Sequence, residues 1–116
     1  MGASDQHVSL GMEAYNDKDF KRAIEEWSAV ENPTPEVSYY LAHSYFNEEK
    51  YNEAVLLFQR LSSGSSVYNF PSDWYLALSY LVLNDQNKGI QQLEKIIQDK
   101  NHPYHLEAQQ LKSRLL

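Results

Sequence analysis

The chain contains no cysteine, which excludes a disulfide framework, a thiol nucleophile and a thiolate metal site. Basic residues are the minority charge. Ten Lys and Arg stand against 16 Asp and Glu, for a formal net charge of −6 and a pI of about 5.1. That balance leaves no basic footprint for nucleic acid and disfavours anionic lipid. Long apolar runs are missing too. The longest, Trp74 to Leu83, is about ten residues and is interrupted by Ser79, whereas a membrane span needs roughly 20. Met1-Gly2-Ala3-Ser4 lacks both a basic segment and an apolar core, so no signal peptide is expected. No glycine-rich phosphate loop exists, because Ser62 to Ser66 holds one Gly and no following Lys. A length of 116 residues fits one domain spanning the chain, 1–116.

What is present is a repeat. Between Pro35 and Leu61 two amphipathic helical patterns flank the polar break Asn47-Glu48-Glu49-Lys50. Leu41 and Tyr45 fall four apart in the first, and Ala54, Phe58 and Leu61 share a stripe in the second. Leu10-Gly11 and Leu76-Ala77 repeat Leu41-Ala42. Leu10 to Ala23, Leu41 to Ala54 and Leu76 to Gly89 are each thirteen apart. Trp27, Phe58 and Leu93 follow four later, and Val30, Leu61 and Ile96 three after that. Between units the spacing varies, from 31 (Ala23 to Ala54) to 35 (Ala54 to Gly89). Helix contacts fix spacing within a hairpin, while the connections between hairpins tolerate change.

These residues resemble the tetratricopeptide repeat family, whose pattern is W-x2-L-G-x2-Y…A-x3-F…P with a period of about 34. The matches read Leu10-Gly11-x2-Ala14…Ala23-x3-Trp27, Leu41-Ala42-x2-Tyr45…Ala54-x3-Phe58 and Leu76-Ala77-x2-Tyr80…Gly89-x3-Leu93. The opening Trp is replaced by His7, Ser38 and Asp73, and Tyr15 sits one place after the expected aromatic. The resemblance implies an all-α fold. It would be a right-handed superhelical α-solenoid of three helix-turn-helix hairpins plus a seventh, capping helix. The repeats would cover about 4–34, 35–68 and 69–100, with the cap at about 102–116. A single hairpin cannot bury its own apolar faces, so stacked neighbours and a terminal cap are needed.

The expected helices follow from local signals. Asp5 is a candidate cap for a first helix ending near Asn16. Asp19 caps a second, from Phe20 to about Glu31, and Thr34 a third, beginning at Pro35 and ending near Asn47. A fourth runs from about Tyr51 to Leu61. Asn69 is a candidate cap for the fifth, with Pro71 in its first turn, and Asp85 for the sixth, about Gln86 to Asp99. Tyr104, Ala108, Leu111 and Leu115 form the apolar stripe of a seventh. Gly89, costly inside a helix by about 1 kcal/mol, is expected to permit close backbone packing against the fifth helix.

No catalytic constellation stands out, so no enzyme and no cofactor is expected. His102 and His105 lie three apart and are read as solvated residues at a helix start, without the third ligand of a metal site. The carboxylate pairs Glu25-Glu26 and Glu48-Glu49 are read as solvated surface. In the resembling family the first helix of each repeat lines a concave groove. Its positions fall here on Val8, Met12 and Tyr15, on Tyr39, His43 and Phe46, and on Trp74, Leu78 and Leu81, flanked by Tyr40 and Tyr75. Some members clamp a carboxylate there with Lys, Asn and Arg. The matching positions are Val8, Met12, Tyr40, Pro71 and Tyr75, so that clamp is absent.

A groove rich in rings and without Lys or Arg points to a module that binds an apolar or aromatic peptide or helix of a protein partner. Basic flanks of that segment would meet Glu13, Glu36 and Asp73. The partner is not nucleic acid, and this segment does not insert into a membrane. An alternative use is self-association, making a homodimer. A second arises from Asp99-Lys100-Asn101-His102-Pro103-Tyr104, which is similar to closing segments of repeat domains in bacterial proteins with an upstream membrane helix. This would then be a soluble domain, cytoplasmic or periplasmic, tethered through a region outside this sequence.

Overall fold

Three turns of one design set the course of the chain, each joining two helices of a computed structural model that describes residues 3–116. The expectation drawn from Met1 and Gly2 lies outside the described residues. Among those residues the fold is all-α, with seven helices and no strand: α1 (Ala3–Asn16), α2 (Phe20–Ser28), α3 (Pro35–Asn47), α4 (Tyr51–Ser62), α5 (Asn69–Val82), α6 (Gln86–Gln98) and α7 (His105–Leu115). No helix among them is long and apolar enough to cross a membrane.

Each of the three turns ends a helix with a non-glycine residue at positive φ: Lys18 (60°), Glu49 (59°) and Asn84 (61°). Two backbone bonds close each one. Lys18 N–H donates to Tyr15 O and Asp19 N–H to Ala14 O. Glu49 and Lys50 donate to Phe46 O and Tyr45 O, and Asn84 and Asp85 to Leu81 O and Tyr80 O. This is the Schellman arrangement, which satisfies carbonyls a helix end would otherwise leave open. The carbonyls that accept from the last turn residue belong to Ala14, Tyr45 and Tyr80, the third position of the sequence repeat. Asp19 and Asp85 then cap the next helix, their carboxylates accepting from Arg22 N and Lys88 N at 3.2 Å each. Thr34 Oγ1 accepts from Val37 N at 3.2 Å, with Pro35 where its missing N–H costs nothing.

Several ends differ from expectation. Asp5 lies inside the first turn of α1, because the helix already includes Ala3. Asn69 is the first residue of α5, not its cap, and its side-chain amide donates to Gly64 O at 3.3 Å. Residue α2 ends on, Ser28, comes earlier than the expected Glu31, with Asn32 at φ 51° turning the chain before Pro33. Tyr104 precedes α7 instead of starting it.

By its internal contacts the chain forms two compact units, one to Leu57 and one from Phe58, so the division falls inside α4. In the first, Ala14, Ala23, Trp27, Val37 and Leu41 form the buried cluster, with Val8, Met12, Tyr15, Tyr40 and Tyr45 packed against it. Trp27 is 1% exposed and its indole N–H donates to Val8 O at 3.1 Å. Its ring lies over Gly11, and a Cβ on Gly11 would overlap the indole. Leu10 is half-buried, unlike its equivalents Leu41 and Leu76.

The second unit packs Ala77 of α5, Leu93 and Ile96 of α6 and Ala108 of α7 into a cluster of side chains that are 0% exposed. Trp74, Leu81, Ile97, Tyr104, Leu111 and Leu115 pack around it. Gly89 is the close approach expected of it: a Cβ there would overlap Leu81 of α5. Ala108 continues the small-residue series, since Gly11 to Ala42 and Ala77 to Ala108 are both 31 apart. The chain from Ser62 to Asn69 folds back on itself, Tyr68 N–H donating to Ser66 Oγ at 3.3 Å and Asn69 N–H to Ser66 O at 3.1 Å.

The fit of Trp27 over Gly11 has a measurable cost when it is spoiled. Gly11→Ala lowers stability by about 1–3 kcal/mol, because a rigid ring and not a flexible chain end must move. Gly64→Ala, whose Cβ would meet only ordinary contacts at 3.5 Å, shifts the urea midpoint little. Equal midpoints for the two variants would contradict the ring placement.

Candidate functional site

All eleven residues expected to line a groove are half-buried. In the first unit Tyr15, Tyr40, Tyr39 and His43 are joined into a chain of rings. Tyr15 meets Phe20 edge-on at 5.6 Å, Trp27 at 5.8 Å and Tyr40 at 5.0 Å. Tyr40 meets Tyr39 at 5.5 Å, and Tyr39 meets His43 at 4.5 Å. Phe46 lies edge-on to Tyr51 at 5.2 Å. Val8, Met12, Tyr15 and Tyr40 therefore double as the wall of the core, and their apolar surface is shared between packing and solvent.

In the second unit Trp74 lies flat on Tyr104, centroids 5.3 Å apart and planes within 7°. Tyr75 stacks on Phe58 at 5.7 Å. Leu81 covers Gly89, and Leu78 is half-buried on α5. Burial, the Tyr75 phenol and the Glu107 carboxylate together push the Tyr104 phenol above its ordinary range. No group of three or more His, Cys, Asp or Glu among the described residues is arranged to hold a metal ion.

Burial pushes the His43 imidazole down to about 4 from 6.5. A half-buried ring among aromatics has too little water to solvate a positive charge, so it stays neutral.

A buried polar knot, which sequence reasoning missed, lies in the second unit. Asp73 is 7% and His102 5% exposed. His102 Nε2 donates to Asp73 Oδ2 at 2.9 Å. The donor is fixed by the other nitrogen: Tyr104 N–H donates to His102 Nδ1 at 3.1 Å, so Nδ1 carries the lone pair. Ser62 Oγ donates to Asp73 Oδ1, and Lys95 Nζ stands 3.9 Å from the same oxygen. Gln92 Nε2 donates to the Asp73 carbonyl at 3.1 Å. Phe70 closes over the imidazole edge-on at 4.8 Å. His102 is thus not the solvated residue expected, and Asp73 is occupied internally and does not serve as a rim charge. Glu26 likewise is half-buried and bonded to His7 Nδ1 at 2.8 Å, a partner its helical neighbour Glu25 lacks. The signal for Asp73 was there: an acid stands where the repeat pattern has an aromatic. Its partner, 29 residues away, carries no pattern of its own.

A scan against protein-family models finds no match to this chain, and a search of curated proteins finds no similar one.

Two outcomes follow from this chemistry. The unfolded chain binds a proton at His43 near pH 6.5 and the folded chain only near 4, so stability falls as pH drops through that window. The loss amounts to at most about 3 kcal/mol, and His43→Gln removes that part of the slope in urea midpoints measured from pH 7 to pH 4.5. At the knot, His102→Ala strips a buried carboxylate of a donor and costs about 2–4 kcal/mol. Asp73→Ala/His102→Ala then costs less than the sum of the single variants in a double-mutant cycle. Strict additivity would show that the two groups do not communicate.

Proposed function

We propose that this protein is an interaction module of the tetratricopeptide type, which binds apolar or aromatic segments of a protein partner, on α1 and α3 in the first unit and on α5 in the second. The observation that carries this reading is the partition of side chains. Every Lys and Arg lies outside those three helices, on α2, α4, α6, α7 or the turns. The three helices carry instead Tyr15, Tyr39, Tyr40, Phe46, Trp74 and Tyr75, half-buried and therefore partly open to contact. Tyr and Trp are the residues that most often carry binding energy at interfaces, since they offer large rigid area for little entropy. Glu13 and Glu36 are exposed on the same helices and complement basic residues flanking the bound segment.

The test is selection of peptides from a random displayed library, followed by calorimetry. Selected sequences are expected to be apolar or aromatic with basic flanks. Tyr39→Ala and Leu78→Ala weaken their binding by about 2 kcal/mol with helical circular dichroism unchanged, whereas Lys21→Ala on α2 has no effect. Variants that fold and bind normally would move the partner to another face. A protein that sediments as a dimer, and becomes monomeric in Tyr39→Ala, would make the ring surface a self-association surface instead.

A further inference from the structure

We propose that the Trp74–Tyr104 ring pair, with the Glu107 carboxylate beside it, is a seat for an arginine side chain of the bound segment, and that the buried Asp73–His102 bridge sets the position of Tyr104 in that seat. This rests on the peptide-binding reading above and names the chemistry at one point of the partner.

The rings come first. Trp74 from α5 and Tyr104 from just before α7 lie parallel within 7° at 5.3 Å, each covering one face of the other, and both residues keep partial exposure to solvent. An indole face attracts a cation more strongly than other side-chain rings do, and the planar guanidinium adds stacking that an ammonium cannot.

Charge then selects the occupant. Glu107 lies in the first turn of α7, three residues after Tyr104, which stands just before that helix. Its field is felt at the ring, being one of the causes that raise the Tyr104 phenol. No ion pair engages Glu107 among the described residues. Two lysines of α6 and α7 are engaged elsewhere: Lys95 stands 3.9 Å from Asp73, and Lys112 stands 3.5 Å from Glu94. Neither α5 nor the stretch 101–111 contains a Lys or Arg. The seat thus has rings and an uncompensated carboxylate, and lacks only the cation.

Position comes from the knot beneath. Asp73 is the residue before Trp74, and His102 is two before Tyr104. His102 donates to Asp73 at 2.9 Å and accepts the Tyr104 N–H at 3.1 Å, so one imidazole ties the backbone carrying one ring to the helix carrying the other.

The experiment follows the two indole N–H signals by nuclear magnetic resonance while N-acetylarginine amide is added at constant ionic strength. The Trp74 signal is expected to shift saturably, more weakly with N-acetyllysine amide and not with N-acetylnorleucine amide. Trp27, whose N–H is held by Val8 O, stays still as the internal control. Glu107→Gln, an exposed change that leaves the fold intact, raises the half-saturating arginine concentration about threefold or more. His102→Gln raises it too and moves the Tyr104 phenol titration back toward its ordinary range; a folded His102→Gln protein with unchanged binding and titration removes the positioning role. The absence of a saturable shift, or an equal one with norleucine, overturns the seat. If the seat fails while Tyr39→Ala and Leu78→Ala still weaken binding of selected peptides, the interaction module stands without it. If selected peptides also bind those variants normally, both readings fall together.

Discussion

Backbone approach at positions without side-chain bulk is the constraint on which the rest of the fold depends. Trp27 can be buried only because Gly11 leaves room for its indole, and its N–H then finds the carbonyl of Val8 one turn away. A large ring so placed brings α1 and α2 together and gives Tyr15 and Tyr40 a surface to lean on. At the other end Gly89 admits Leu81, while Ala77 and Ala108 let α6 sit close to both α5 and α7. Dense packing of this kind leaves little freedom in the angle between paired helices. The half-buried rings of α1, α3 and α5 are therefore held by what lies beneath them.

The periodic part of this architecture was legible in the sequence. Helical stripes, the small residues at Gly11, Ala42 and Ala77, and caps at Asp19, Thr34 and Asp85 all repeat or follow local rules that act over a few residues. Asn69 and Asp5 were read by the same rules and stand one or more residues inside their helices. Helix ends are settled by competing hydrogen bonds, and Asn69 found a carbonyl at Gly64 instead of a cap site.

The candidate site was legible only in outline. Spacing identifies which side chains share a helix face, and the eleven residues expected there are half-buried. It does not reveal whether a ring faces solvent or a neighbour. Trp74 illustrates this, because its partner Tyr104 belongs to a segment with no fixed spacing from α5. The same holds for His102, whose partner Asp73 departs from the repeat pattern while His102 itself is unremarkable in its own window. A buried carboxylate needs donors, and here they are Ser62 of α4, Gln92 of α6 and His102 before α7, none of them at a position the repeat pattern marks.

The doubled role of Asp19 and Asp85 has a consequence for how such a chain can change over evolutionary time. Each closes one helix through its backbone N–H and opens the next through its carboxylate, so the turn has no spare residue. An inserted residue there would break both bonds at once. Growth in length is thereby channelled to the three connections after α2, α4 and α6, where the backbone is not shared between two helix ends. Among the connections between the described helices, those three are the doors by which new loops, and whatever chemistry they bring, enter.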